Sequence, residues 1–171
     1  GCYQALGNLR LKFGPSQGGP ALQCASGHRA WSANQEIEFS ADGNNDTKWC
    51  IIHEGRPVTW QFDAGTNGAT PREYRFTSAE DVPARDPRTW KLEGSLDGKV
   101  WTLLDEHKDT SIFTRRQETR TYTIAKPTAG RFFRFTFMPN PGVTHFQVAE
   151  IALDGIAANT GTPVAAKGYS R

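Results

Sequence analysis

The segment Phe133-Arg134-Phe135-Thr136-Phe137 places three Phe at alternate positions, with Arg and Thr between them. A helix cannot use that order, because its apolar positions recur every three or four residues. An extended strand can, since successive side chains point to opposite faces. The same two-residue period appears in Val58-Thr59-Trp60-Gln61-Phe62-Asp63, which stops at Ala64-Gly65, and in Tyr74-Arg75-Phe76-Thr77 after Pro71. Trp90-Lys91-Leu92-Glu93-Gly94, Val100-Trp101-Thr102-Leu103 and Tyr122-Thr123-Ile124 repeat it. Val148, Ile151 and Leu153 suggest a closing strand broken by Glu150. Helical periodicity is scarce. Many short strands separated by turn residues predict an all-β chain folded as an antiparallel sandwich or barrel.

Composition narrows the class of protein. A chain of 171 residues suits one domain, or one domain with a fragment of a second. Its 17 Gly and 10 Pro favour short elements joined by turns, and 37% apolar residues suffice for a core. The formal charge of +2 is mixed in sign, without the basic stripe of a nucleic-acid binder. No apolar run approaches the roughly 20 residues of a membrane span. The expectation is also that no signal peptide is present, any leader having been removed. Cys2, Cys24 and Cys50 are odd in number, so at most one pair can close within the chain. The sequence leaves a Cys24–Cys50 disulfide open, and the redox compartment with it.

The organisation reads as a sandwich over residues 26–155 with a small, polar tail or linker over 156–171. Residues 1–25 contain an echo. Leu9 to Ala25 can be laid without gaps on Phe133 to Ala149, and six of 17 positions coincide. One reading makes residues 1–25 the last strands of a preceding, related module. The other is chance between two strand-loop-strand segments.

The densest polar cluster is Ser40-Ala41-Asp42-Gly43-Asn44-Asn45-Asp46-Thr47-Lys48-Trp49. Oxygen-bearing side chains around a Gly are what a hard cation needs, because the Gly lets the chain turn tightly enough for them to converge. An EF-hand is excluded: the sixth position from Asp42 is Thr47 and the twelfth is His53. The function-free reading is a polar turn, since Asp and Asn tolerate turn geometry. Asn45-Asp46-Thr47 also fits the glycosylation acceptor pattern, although a Thr47 engaged in the loop would not be available. Asp97-Gly98, between two alternating runs, signals a hairpin.

Taken in order, Asp42-Gly43-Asn44 with Thr47-x-Trp49, Trp60-x-Phe62-Asp63, Tyr74, Ser95-x-Asp97-Gly98-x-x-Trp101, Phe133-Arg134-Phe135 and Gln147-x-Ala149-Glu150-Ile151 resemble a known pattern. It is that of the discoidin, or coagulation factor C-type, domain in its bacterial branch of family 32 carbohydrate-binding modules, over roughly residues 24–155. Ser78 to Trp90 is similar to modules attached to bacterial glycoside hydrolases. The resemblance implies an eight-stranded jelly-roll sandwich, no catalysis, and sugar binding by loops at one end. It also implies a structural Ca²⁺ held by the side chains of Asp42, Asn44, Thr47 and Glu150 and by the backbone carbonyls of Phe39 and Ala149. Six oxygens with two carboxylates suit Ca²⁺ better than zinc or copper.

Sugar recognition needs an aromatic platform and planar or charged donors. The loops that offer them are 28–35 with His28, Arg29 and Trp31, 50–57 with His53 and Arg56, 79–89 with Arg85, Asp86 and Arg88, and 139–146 with His145 and Phe146. Arg85 matches the family's sugar-contacting Arg, although Arg85 and Asp86 could equally form a loop-fixing ion pair. Galactose-binding relatives often carry a His where this chain has Cys50. Trp49, Trp60, Trp90 and Trp101 lie on strand-like segments and are expected in the core.

No Walker, G-x-G-x-x-G or H-E-x-x-H motif is present, and Gly55-Arg56-Pro57 after His53-Glu54 would prevent a zinc helix. The sequence therefore predicts a non-catalytic carbohydrate-binding module, secreted, periplasmic or cell-surface. Its partners would be a glycan and covalently linked neighbouring modules of a glycan-active protein, with avidity as its mechanism. The alternative is an adhesion module that binds a protein or an anionic lipid surface; a third is a spacer that binds nothing.

Overall fold

The computed structural model describes residues 21–108 and 112–154. Ten strands occur among them: β1 (Leu22–Gln23), β2 (Trp49–Ile52), β3 (Val58–Asp63), β4 (Glu73–Thr77), β5 (Thr89–Ser95), β6 (Thr102–His107), β7 (Thr119–Thr123), β8 (Phe132–Met138), β9 (His145–Val148) and β10 (Glu150–Leu153). They form a five-stranded sheet in the order β1-β3-β8-β5-β6, a three-stranded sheet β10-β4-β7, and a two-stranded ribbon β2-β9. Every pairing is antiparallel. This is a jelly-roll sandwich of mostly β structure with only short 3₁₀ turns.

The alternating segments become the strands that join the sheets. In β3, Val58, Trp60 and Phe62 point inward, and in β8 so do Phe133, Phe135 and Phe137. The two strands pair over their full length, from Val58↔Phe137 to Asp63↔Phe132. From the opposite sheet Phe76 meets Phe135, Phe137 and Trp90 edge-on or tilted, with ring centroids 5.0–5.5 Å apart. Each fully buried aromatic of this kind stabilises the fold by roughly 1.5–3 kcal/mol relative to exposure. Polar atoms link some of them: Trp90 Nε1 donates to the Tyr74 hydroxyl at 2.8 Å, which donates to Asp105 at 2.8 Å.

The sandwich begins earlier than the boundary at residue 26 suggested by the sequence. Ala21, Leu22 and Cys24 are buried in the core, and Leu22 and Gln23 pair with Phe62 and Gln61. Gln23 and Cys24, aligned by the echo with Gln147 and Val148, thus lie beside β3, whereas Gln147 and Val148 lie in the ribbon. The remainder of the N-terminal extension, residues 1–20, and the tail from 155 onward lie outside the described residues. Cys24 and Cys50 are both buried thiols. Trp49, Trp60 and Trp90 are in the core, but Trp101 is only half-buried and lies under the Arg134 guanidinium, 3.9 Å from its ring centre.

The two ends of the sandwich differ. Ala21 accepts a hydrogen bond from the Asp63 N–H, and the Asp154 N–H donates to Glu73, so the chain enters and leaves on either side of the 64–72 connection. The ribbon, the 41–47 turn and the 139–144 loop occupy the opposite end, where β3 begins and β8 finishes.

Candidate functional site

The Asp-Gly-Asn turn and the last strand meet. A 3₁₀ turn over Ile37–Ser40 leads into the polar loop, fixed to the core where Trp60 Nε1 donates to Ser40 Oγ at 2.9 Å. Gly43 then adopts a φ of +74°, which carries the chain back on itself as L side chains rarely can. Its N–H donates to Glu150 Oε2 at 3.0 Å, across 107 residues of sequence. Asp42 takes the Asn44 N–H on Oδ1 and the Thr47 hydroxyl on Oδ2, and Asn44 Oδ1 takes the Asp46 N–H. Phe39 belongs to the preceding 3₁₀ turn, and Ala149 sits between β9 and β10, anchored by its N–H to Thr77.

Glu150 is 8% exposed. Burial, and then the adjacent Asp42 carboxyl, push it up to about 10, against the pull of the Gly43 and Asn44 amides. Two carboxylates forced together at a buried strand end fit a hard divalent ion, with an amide and a hydroxyl oxygen beside them. No group of three or more His, Cys, Asp or Glu gathers among the described residues.

The second constellation lies on the outer face of the ribbon. Pairing of β2 with β9 sets Cys50 opposite Gln147 and Ile52 opposite His145, while Trp49, Ile51, Phe146 and Val148 are buried on the inner side. Trp31 is 56% exposed and stands edge-on to His145, with ring centroids 4.6 Å apart at 70°. The Trp31 backbone N–H donates to the Cys50 carbonyl at 2.8 Å, which fixes the platform to the ribbon. Burial and the nearby charges of Arg85, His53 and Lys48 hold the His145 imidazole below its ordinary pKa. Burial pushes the Cys50 thiol up to about 11. An exposed indole wall, an imidazole and the Arg85 guanidinium therefore share one corner.

The other expected ligand residues have structural duties. Phe146 is a core side chain, packed against Phe137 and Trp49. It neighbours His145 in sequence, and strand parity sends the two to opposite faces. His53 is buried, with Nδ1 accepting the Gly55 N–H and Nε2 donating to the Val143 carbonyl. His28 is likewise buried and donates from Nε2 to the His53 carbonyl at 2.9 Å. Arg56 is exposed beside Glu54 and reaches the Ser26 carbonyl. The ion pair imagined between Arg85 and Asp86 is replaced by another: Asp86 is buried and holds Arg116 through two bonds of 3.0 and 2.7 Å. Lys48 and Gln147 lie on that side as well, although the sequence named them only within the polar cluster and the family pattern and gave neither a part in the ligand loops. Their alternation with Trp49 and Phe146 was the signal that could have found them.

The fold and these two constellations define a class: jelly-roll domains with an acidic turn tied to the last strand and an exposed aromatic corner at the same end. A family model of the F5/8 type C domain matches residues 23–151. The chain belongs to that family. A peptide-N(4)-(N-acetyl-beta-glucosaminyl)asparagine amidase of Arabidopsis thaliana is 40% identical over 67 residues, 38% of this chain and 9% of its own length. The chain spans 9% and 11% of the curated relatives it matches. Among solved structures, CpGH89CBM32-5 from Clostridium perfringens, in complex with GalNAc-beta-1,3-galactose, superimposes with a TM-score of 0.62 at 15% identity, covering 77% of this chain and 92% of that one. The CBM32 of AlyQ, in complex with 4,5-unsaturated mannuronic acid, gives 0.59 at 19% identity, covering 78% and 92%. These neighbours are carbohydrate-binding modules, and they share the fold.

Proposed function

We propose that this domain binds carbohydrate without catalysis, on the outer face of the β2–β9 ribbon. The observation that carries the reading is the exposed Trp31 indole, braced by His145 at 4.6 Å beside Arg85. A flat apolar surface for one face of a pyranose ring, next to a planar multi-donor cation for its hydroxyls, is the chemistry that sugar recognition requires. The ligands named for the solved neighbours, GalNAc-beta-1,3-galactose and 4,5-unsaturated mannuronic acid, are consistent with it. In this reading the domain serves as an accessory to a glycan-active protein in an extracellular or surface setting, and tethering raises its local concentration on a polymer. Asp42, Asn44, Thr47 and Glu150, with the carbonyls of Phe39 and Ala149, would hold a structural Ca²⁺. That ion would neutralise the paired carboxyls and tie the turn to β10.

A glycan array probed with the chain tests the proposal, followed by titration of the strongest hit against Trp31→Ala. Saturable, sugar-competed binding is expected, weakened at least about tenfold in the variant. Its melting temperature should be unchanged, because the indole is largely solvent-facing. Silence on the array together with retention on anionic vesicles or on a protein partner would replace this reading with an adhesion role.

A further inference from the structure

Gln147 is fully buried, and both its polar atoms are engaged. Its Oε1 accepts from Lys48 Nζ at 2.9 Å and from an Arg85 guanidinium N–H at 3.4 Å. Its Nε2 donates to the Asp81 carbonyl at 2.8 Å and to Asp81 Oδ1 at 3.0 Å. Lys48, itself buried, reaches on to Asp81 Oδ1 at 2.9 Å and Glu80 Oε2 at 3.2 Å. Burial alone would raise the Asp81 carboxyl, but the bonds from Lys48 and Gln147 hold it below its ordinary range. A side chain just before β2 and one within β9 thus grip the same loop from beneath.

The loop needs a grip. Val82 has φ +37° and ψ +78°, a left-handed conformation that a β-branched residue avoids unless its surroundings impose it. The bonds that impose it flank it. The Asp81 carbonyl takes Gln147 Nε2 at 2.8 Å and Arg116 at 3.2 Å, and the Val82 carbonyl takes the Arg85 N–H at 3.0 Å. The short turn Pro83–Arg85 follows directly and carries Arg85 to the ribbon, close enough for its charge to act on His145. The neighbouring carboxylates are occupied, Asp86 by Arg116 and Asp81 and Glu80 by Lys48. Among the described residues, Arg85 keeps the long contact to Gln147 and forms no ion pair.

We propose that Lys48 and Gln147 are positioning residues of the ligand face, a buried polar latch that holds the strained 80–85 loop on the ribbon and fixes the Arg85 guanidinium beside Trp31 and His145. The part of this that concerns the ligand rests on the carbohydrate reading; the latch itself does not. Its occupant is an oxygen-rich ring that gives Arg85 a hydroxyl or carboxylate acceptor in place of the Gln147 oxygen.

Two measurements on the full chain test it. Gln147→Leu keeps the bulk of the side chain and removes every bond that Gln147 gives the latch, leaving Lys48 on Asp81 and Glu80. Amide hydrogen exchange over residues 79–86 should rise about tenfold or more, while exchange in β3 and β8 stays as it was. Affinity for the strongest array glycan should fall about tenfold. Adding Val82→Gly should recover part of that affinity, because Gly holds the left-handed conformation without the latch; a merely structural role for Gln147 predicts no such recovery. Lys48→Met, which leaves the Gln147–Asp81 bonds in place, should give the same pattern at smaller amplitude, and it serves if Gln147→Leu does not fold. Unchanged loop exchange in both variants would overturn the latch. Faster exchange with unchanged affinity, or no recovery by Val82→Gly, would overturn the positioning role. If the wild-type chain binds no glycan, the carbohydrate reading fails, and the exchange data still decide the latch.

Discussion

Glu150→Gln removes a buried ionisable carboxyl while leaving an oxygen to accept the Gly43 N–H and an amide to donate to Asp42. Its effect should depend on calcium. In chelator, the folded wild type keeps Glu150 protonated up to about 10, whereas the unfolded chain ionises near 4.5. A carboxyl whose folded pKa is raised contributes stability that is complete below 4.5 and is lost as pH rises toward 10. At pH 7 the gap of 2.5 units between pH 7 and 4.5, at about 1.4 kcal/mol per unit, amounts to about 3 kcal/mol that the Gln variant does not lose. In chelator at pH 7 the variant should therefore melt higher, by about 10 °C for a domain of this size. It should also lack the wild type's decline between pH 5 and 9. Calcium should reverse the order. A hundredfold excess over Kd stabilises the wild type by about 2.7 kcal/mol, and the variant, with one carboxylate fewer, gains much less. Differential scanning calorimetry at pH 5, 7 and 9, with chelator and with calcium, reads all of this. Equal calcium gains in the two proteins would refute a cation site at Glu150. A variant that melts lower in chelator, with the wild-type pH slope, would refute the carboxyl pairing itself.

Three further outcomes are expected. Phe135→Ala, which removes a ring packed against Trp60, Tyr74, Phe76 and Phe137, should destabilise the domain by about 3–5 kcal/mol in urea unfolding with little change in m. Glu118 accepts the Thr114 and Arg115 amides and the Arg120 guanidinium, which hold it down to about 2. Its folded pKa lies below its unfolded one, so its contribution is present above 4.5 and lost as pH falls toward 2; Glu118→Gln should flatten acid unfolding across that window. Arg116→Leu, which leaves the buried Asp86 carboxylate without its two guanidinium bonds, should destabilise by about 3–5 kcal/mol at pH 7, read by chemical denaturation.

The sandwich was legible wherever one strand face is dry and the other wet. β3 spans the residues whose alternation announced it, and β8 extends its segment by one residue at each end. The ribbon was harder to see. Trp49-Cys50-Ile51 is apolar at every position, because the outer side chain of β2 is covered by the 80–85 loop and leaves no polar beat to count. The Asp42–Thr47 turn could be read because its polar side chains are close together in sequence, and family resemblance brought in Glu150 from the far strand, where the Gly43 N–H meets it. The corner formed by Trp31 and His145 could not be read in the same way. Trp31 and His145 come together only through the Ile52↔His145 and Ala30↔Ile51 pairings, and no local pattern encodes a contact between loops so far apart. The sequence offered Arg85 as one alternative partner for Asp86, whereas the guanidinium that holds it, that of Arg116, lies 30 residues further on.

Ala21 and Asp154 both lie at the pole remote from Trp31, held there by the end of β3 and the start of β4. The exposed indole therefore stands at the free end of the sandwich, away from the points where the described strands open and close it.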